Sequence, residues 1–311
     1  MPTGMTIVVV GSTNTDMIIR TPRIPRPGET ILGGDFFMAA GGKGANQAVA
    51  AARAGGQVTL VARVGRDVFG RQAIEGFRQD GINVEHITCD PEKPSGVALI
   101  FVSESGENSI AVASGANSRL SPQDVERADQ AIGAAKILVT QLEIPLETVE
   151  SAVRLAGRHG VPVVLNPAPA RPLSDALLRH VAVITPNETE AELLTGIPLE
   201  NDDAIEEAAD VLLGRGVRAA AITLGALGAF LATGRKRCRL PAFPVTPVDT
   251  TAAGDVFNGA LAVALAEAPD LERAVRFASA AAAISVTRLG AQPSAPARED
   301  ILRLLTSRSS P

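Results

Sequence analysis

Between residues 136 and 224 the chain alternates short, unbroken apolar runs with segments of helical character, and this pattern constrains the fold most. Lys136–Thr140 reads KILVT, residues 161–166 VPVVLN, residues 181–185 VAVIT and residues 219–224 AAAITL. Runs of four to six β-branched and small apolar residues are the length of strands. They are continuous, not alternating, so both faces of each strand must be buried. Between them, Pro145–Gly160, Glu188–Thr195 and Asp202–Gly214 read as helices. Strand and helix in turn imply a parallel sheet covered by helices on both sides. The fold class expected is therefore α/β, a three-layer sandwich with a mainly parallel central sheet.

The first part of the chain departs from this pattern. Thr15–Arg20 and Ile31–Met38 flank the proline-rich loop TPRIPRPGET, and Gly96–Ser103 and Asn108–Ala113 flank the turn Glu104–Glu107. These read as two pairs of short strands inserted into the α/β pattern, a small β lid covering about 14–40 and 96–114. No linker or repeat divides residues 1–311, so a single domain is expected. Residues 306–311 are polar and should fray.

Composition excludes several functions. Net charge is −5, so no polyanionic partner is indicated. With 3% aromatics and neither Trp nor Tyr, there are few platforms for stacking nucleic-acid bases. No run approaches the ~20 apolar residues that span a bilayer, and the N-terminus shows no charged-then-apolar leader. Two cysteines, Cys89 and Cys238, neither beside a base, make no disulfide scaffold and suit a reduced, cytoplasmic compartment. His86, His159 and His180 lack metal-ligand spacing and read as surface or packing residues. There is no G-x-x-x-x-G-K-[ST] and no strand followed by G-x-G-x-x-G, so neither a P-loop nor a standard dinucleotide fold is expected.

The most informative segment is Asp249–Ala260, DTTAAGDVFNGA. From Asp255 onward, Phe257, Leu261, Ala264 and Leu265 recur at helical spacing. Ala252, Ala253 and Gly254 then form the turn into a helix. Small residues there let free backbone amides approach a ligand, and the helix dipole favours an anion. Asp255 falls in the first turn. By position alone it is as well suited to capping the helix.

AAGD before a helix, GGKGAN at 41–46 and the GS-x-N-x-D turn at 11–16 together resemble the ribokinase branch of the ribokinase-like sugar kinases. NPAPAR (166–171), TPNETEAELLTG (185–196), ITLGALGA (222–229) and VTRLGAQPS (286–294) extend the resemblance over essentially the whole chain. It implies ATP-dependent phosphorylation of D-ribose at O5, or of a related acceptor such as 2-deoxyribose or a nucleoside. Asp255 would be the catalytic base, and the amides of Ala252, Ala253 and Gly254 an anion hole.

The resemblance further implies that Asn14, Asp16, Gly42, Lys43, Asn46 and Glu143 hold the sugar. Read in isolation, Asn14–Asp16 equally suits an Asx turn, Lys43 a solvated lysine and Glu143 an exposed loop acid. Asn187 and Glu190, three apart on a helix start, would serve Mg²⁺ and phosphate; acids are favoured at such a start in any case. Thr223, Gly225 and Gly228 would meet ATP, with Ser279 at the adenine position where several ribokinases carry histidine. Asp249, Thr251, Ser285, Arg288, Gly290 and Ser294 resemble a K⁺ loop, in which Arg288 would offer its carbonyl. A homodimer through the two lids is also implied.

Overall fold

The computed structural model describes residues 4–307. Its strands are β1 (Thr6–Val10), β2 (Asn14–Thr21), β3 (Asp35–Gly41), β4 (Gln57–Gly65), β5 (Ile87–Asp90), β6 (Gly96–Ser103), β7 (Asn108–Ala113), β8 (Ile137–Thr140), β9 (Val163–Leu165), β10 (Val183–Ile184), β11 (Ala219–Thr223), β12 (Ala229–Thr233) and β13 (Arg237–Leu240). Among the described residues these form two sheets. A nine-stranded sheet runs β13-β12-β11-β10-β9-β8-β1-β4-β5, and a four-stranded sheet runs β3-β2-β6-β7.

The large sheet is parallel from β5 to β11, and its continuous apolar runs follow from burial on both faces. In β1, Ile7 and Val9 join one core with helices Lys43–Arg53, Ala253–Glu267 and Leu271–Ser285. Val8 and Val10 join the other, under helix Leu146–Arg158. The helices Glu188–Thr195 and Asp202–Gly214 have the bounds read from sequence. Pro145 stands one residue outside its helix as the N-cap, not within the first turn. The antiparallel strand β12 and the edge strand β13 beside it have no counterpart in the sequence reading. Arg237 and Cys238 in β13 lack the apolar run that signals a buried strand, because an edge strand needs only one covered side.

The second sheet holds the two expected strand pairs, joined by parallel pairing of β2 with β6. The strand expected over Ile31–Met38 begins at Asp35 instead. Gly33 and Gly34 both take positive φ, and Gly34 packs on the Arg20 carbonyl, so residues 31–34 turn and do not extend. Thr306 closes the last described helix, Arg298–Thr306, and so is not frayed; residues 308–311 lie outside the described residues.

Two helices carry the centre of the molecule. Lys43–Arg53 and Ala253–Glu267 cross at short range because their facing residues are small: Ala48, Ala50, Ala51, Gly259 and Ala260. A Cβ on Gly259 would lie 2.5 Å from the Gln47 carbonyl oxygen. This crossing brings the GGKGAN segment against the AAGD turn, more than 200 residues away in sequence.

Candidate functional site

The parallel strands end on one side of the large sheet, and the polar residues of interest follow those ends, where open α/β sheets bind ligands. Ser12 to Asn14 follow β1, Glu143 follows β8, Asn166 follows β9, Thr185 follows β10, and Thr223 ends β11. A polar cleft of about 310 Å³ is lined by Asn14, Asp16, Gly42, Lys43, Asn46, Glu143, Asn187, Glu190 and Asp255, together with Ala252, Ala253 and Gly254. A second, more apolar cleft of about 690 Å³ is lined by Asn187, Thr223, Gly225, Gly228, Phe243, Ser279 and Ala282. Ala253 and Gly254 line both, so the helix start is the boundary between the two spaces.

Asp255 sits in the first turn of that helix but does not cap it. Its carboxylate turns back onto helix Lys43–Arg53, where Asn46 Nδ2 donates to Oδ2 at 3.0 Å and Gln47 Nε2 to Oδ1 at 2.9 Å. It is 4% exposed. The capping interpretation thereby falls. Ala252, just before the helix, has φ 59°, the one positive φ outside glycine among the described residues. Such a conformation is strained for a residue with a Cβ and is found where geometry matters more than comfort. The first helical bond runs from Val256 N to Ala252 O, while Ala253 N is already committed to the Thr250 carbonyl. Of the three amides expected to receive an anion, Ala253's is therefore the one already engaged.

The glycines of GGKG have separate packing reasons. Gly41 leaves room for the Asp16 carboxylate. Gly42, at φ 89°, passes the backbone of Thr13 and Asn14, where a Cβ would lie 2.6 Å from Asn14 N. Gly44 abuts Gly11 and Ser12. Lys43 is thus fixed at the first position of its helix and is half-buried, not solvated. Glu143 is pinned by Ser12 Oγ at 2.6 Å and Lys43 N at 3.0 Å, which excludes a free loop acid. Asn14 is strand residue, not Asx turn, and its Oδ1 accepts from Asn117 Nδ2 at 2.8 Å.

Four carboxylates and one lysine therefore share the polar cleft. Burial, then Glu143 and Asp255, push the Asp16 carboxyl up to about 6. Burial also raises Asp255, with Glu143 acting in the same sense, against Lys43 and the Asn46 and Gln47 amides. Burial raises Glu190 as well, although the Asn187 backbone amide and Lys43 oppose it. Burial works against the Lys43 ammonium, but Asp255, Glu143 and Glu190 outweigh it and hold its pKa above the usual lysine value. Among the described residues Asn46 Oδ1 is buried without a partner. A buried acceptor is costly to leave unmade, and here it lines the cleft beside carboxylates that also accept. The cleft asks for a ligand rich in hydroxyl donors.

The other expected residues are placed as follows. Asn187 and Glu190 form a reciprocal capping box, Glu190 N to Asn187 Oδ1 at 2.8 Å and Asn187 N to Glu190 Oε2 at 2.9 Å. Thr223 pairs with Asn187 in an isolated bridge and links the two clefts. Asp249 accepts from Thr251 N at 2.9 Å and Gly290 N at 2.8 Å, clasping two loops. The Arg288 guanidinium pairs with Asp300, while the Ser285 and Ser294 hydroxyls donate to the Ala282 and Ala291 carbonyls. His159 bonds Asp129 near the surface, and burial pushes the Cys238 thiol up.

Sequence reasoning missed the residues behind the site. Ser12 and Asn166 stand inside segments singled out for other residues, and Gln47 follows Asn46 directly. Asn117 gave no signal; it lies 103 positions from Asn14 and is joined to it only by the fold.

Comparison with known proteins agrees with this geometry. The family model "pfkB family carbohydrate kinase" matches residues 5–298. The chain is 47% identical over 300 residues to the ribokinase of Haemophilus influenzae, covering 96% of this chain and 98% of the relative. It is 41% identical over 303 residues to a deoxyribokinase of Salmonella typhi, covering 97% and 99%. The structure of Arabidopsis thaliana ribokinase complexed with ribose and ATP superposes with a TM-score of 0.90 at 35% identity, covering 97% of this chain and 99% of that one. With two adjoining clefts, a buried carboxylate at the helix start between them and a family match over nearly its whole length, the chain belongs to the pfkB family of carbohydrate kinases.

Proposed function

We propose that this protein is an ATP-dependent ribokinase that phosphorylates D-ribose at O5, giving ribose 5-phosphate and ADP. One observation carries this reading: Asp255 faces the polar cleft from the helix start that separates it from the apolar cleft. The sugar occupies the polar cleft, its hydroxyls donating to Asp16, Glu143 and Asn46 Oδ1. ATP occupies the apolar cleft, with adenine near Ser279 and Ala282 and the phosphates reaching Gly254. Asp255 takes the proton of the attacking hydroxyl as the γ-phosphoryl group leaves ADP, and the Gly254 amide and Lys43 offset the charge on that group. Holding both reactants at a fixed helix end supplies the positioning on which phosphoryl transfer depends.

The oxygens of Asn187, at the shared wall, and of Glu190, in the polar cleft, suit Mg²⁺, which keeps much of its own water and shields phosphate charge when bound. The Asp249 carboxylate, clasped between residues 251 and 290, suits K⁺ together with loop carbonyls; Thr251, Ser285, Arg288, Gly290 and Ser294 complete that set. Binding there would order the loop leading into Ala252. The four-stranded sheet acts as a lid, inserted into a single domain spanning the chain. Its strands pair Met17 with both Met38 and Leu99 on the side away from Asp16, where Phe36, Met38 and Leu99 are exposed. A second copy's lid covers that apolar face, giving a homodimer. A cytoplasmic location is compatible with an enzyme that consumes ATP.

A coupled ADP-release assay over ribose, 2-deoxyribose and adenosine, with and without K⁺, tests the reading. Ribose should give the highest kcat/KM. Preference for 2-deoxyribose, the alternative that the Salmonella relative makes concrete, would reassign the acceptor.

A further inference from the structure

We infer that Gln47 is a positioning residue for Asp255, the anchor of a buried amide chain that fixes where the base points and how readily it ionises. The inference rests on the kinase reading above. Gln47 is 0% exposed and lines neither cleft, so it acts through Asp255 and not on substrate. Its orientation is dictated from behind. Gln141 Nε2 donates to Gln47 Oε1 at 2.7 Å, which leaves the Gln47 amino group to donate forward. That group donates to Asp255 Oδ1 at 2.9 Å and to Asn166 Oδ1 at 3.1 Å.

The chain continues from Asn166 and returns to the same helix. Asn166 Nδ2 donates to the Thr185 carbonyl at 3.3 Å, Thr185 Oγ1 to Asn258 Oδ1 at 2.6 Å, and Asn258 Nδ2 to the Gly254 carbonyl at 2.8 Å. One end of this loop holds the carboxylate and the other holds the peptide beside it. Base and anion-binding turn are thereby set relative to one another by side chains from the ends of β8, β9 and β10. The donors favour the ionised carboxylate, opposing the burial that disfavours it. Lys43 from the same helix, Glu143 after β8, Asp16 on β2 and Glu190 on helix Glu188–Thr195 also face this group, and all four remain in the variants below.

The test is the pH profile of kcat at saturating ribose and ATP, for wild type, Gln47→Met and Gln141→Met. Gln47→Met keeps length and removes the donor. Its kcat should fall roughly a hundredfold, the loss expected for a misplaced reacting group. KM for ribose should stay within about threefold, and the acid limb should move up by about one pH unit as the carboxylate loses a donor. Gln141→Met removes one unpartnered buried acceptor, Gln141 Oε1, and leaves another, Gln47 Oε1, so its net cost to folding is small, and it should move the limb the same way by a smaller amount. An acid limb fixed at its wild-type place in both variants overturns the proposal, as does equal loss of kcat and ribose binding. Should Gln47→Met not fold, Gln141→Met decides alone. Should wild type release no ADP with ribose, the functional reading fails, yet carboxyl NMR titration of Asp255 in the ligand-free variants still decides whether Gln47 sets its ionisation.

Discussion

The helix start at Asp255 and the four-stranded lid face each other across one cleft and are built on opposite principles. The helix Ala253–Glu267 is buried without a break from Asp255 to Ala264. Its base is held by amides from a second helix that is itself packed on the large sheet. In the lid, every residue of β7 is exposed, whereas every residue of β8 in the large sheet is buried. The lid meets the rest of the molecule at its roots. Asn117 ties the start of β2 through Thr13 and Asn14, and Asp67 ties Ser95, just before β6, through bonds of 2.7 Å. The proposed base sits on the rigid side, while two of the side chains proposed to hold the sugar, Asn14 and Asp16, belong to the lid strand β2. On the kinase reading, a site arranged so would open for substrate without disturbing the proposed base, and a closed lid would exclude the water that competes as acceptor.

Substitutions on either side should separate the two roles. Asp255→Asn removes the base and keeps its volume. Turnover should fall about a thousandfold, the range general base catalysis supplies, while ribose binding by calorimetry is largely retained. Unchanged turnover would reassign the base and dissolve the contrast. Asn117→Asp acts on the lid root. It keeps an acceptor for Thr13 N but turns the donor that holds Asn14 into another acceptor. KM for ribose should rise about ten- to a hundredfold, equivalent to roughly 1.4–3 kcal/mol, with kcat changed only a few-fold.

Asp16→Asn should trade binding for stability. In the ligand-free protein the Asp16 pKa stands near 6, above its ordinary 3.8. The folded state thus holds this proton more tightly than the unfolded one. The stabilising contribution is present below pH 3.8 and is lost as pH rises through 6. At pH 7–8 the substitution should therefore raise stability by on the order of 2 kcal/mol, read as a higher Tm, while ribose affinity drops sharply. In the wild type, 1/KM for ribose should likewise fall as pH drops through about 6, because a neutral Asp16 accepts fewer hydroxyl bonds. The smallest effect is expected at Ala252. Glycine there relieves the positive φ and should add about 1 kcal/mol in urea unfolding, at the expense of a few-fold in kcat as the turn loosens. A large loss of kcat would mean that the strain itself is needed.

Much of this was legible before any coordinates. The apolar runs in β1, β8 and β11 announce burial on both faces, because a side chain that never alternates cannot have a wet side. Helices Glu188–Thr195 and Asp202–Gly214 carry an asparagine before the first turn and acids within it, so their N-termini are written locally. The AAGD turn is local too: three small residues before a helical repeat. What the chain did not disclose depends on residues meeting from far apart. Asp255 looks like a cap until Asn46 and Gln47 arrive from another helix to claim its oxygens. Asn117 is an unremarked polar residue until β2 and β6 pair and set it against Asn14. The edge strand β13, with Arg237 and Arg239 in it, has half-covered surroundings that no unbroken apolar run records. Local propensity and period fix which segments become strands, helices and turns, because those depend on neighbours a few residues away. The pairing of buried donors with buried acceptors, and with it the charge and aim of each carboxylate in the cleft, is a property of the packed interior, since only there does each group's surroundings come from every part of the chain.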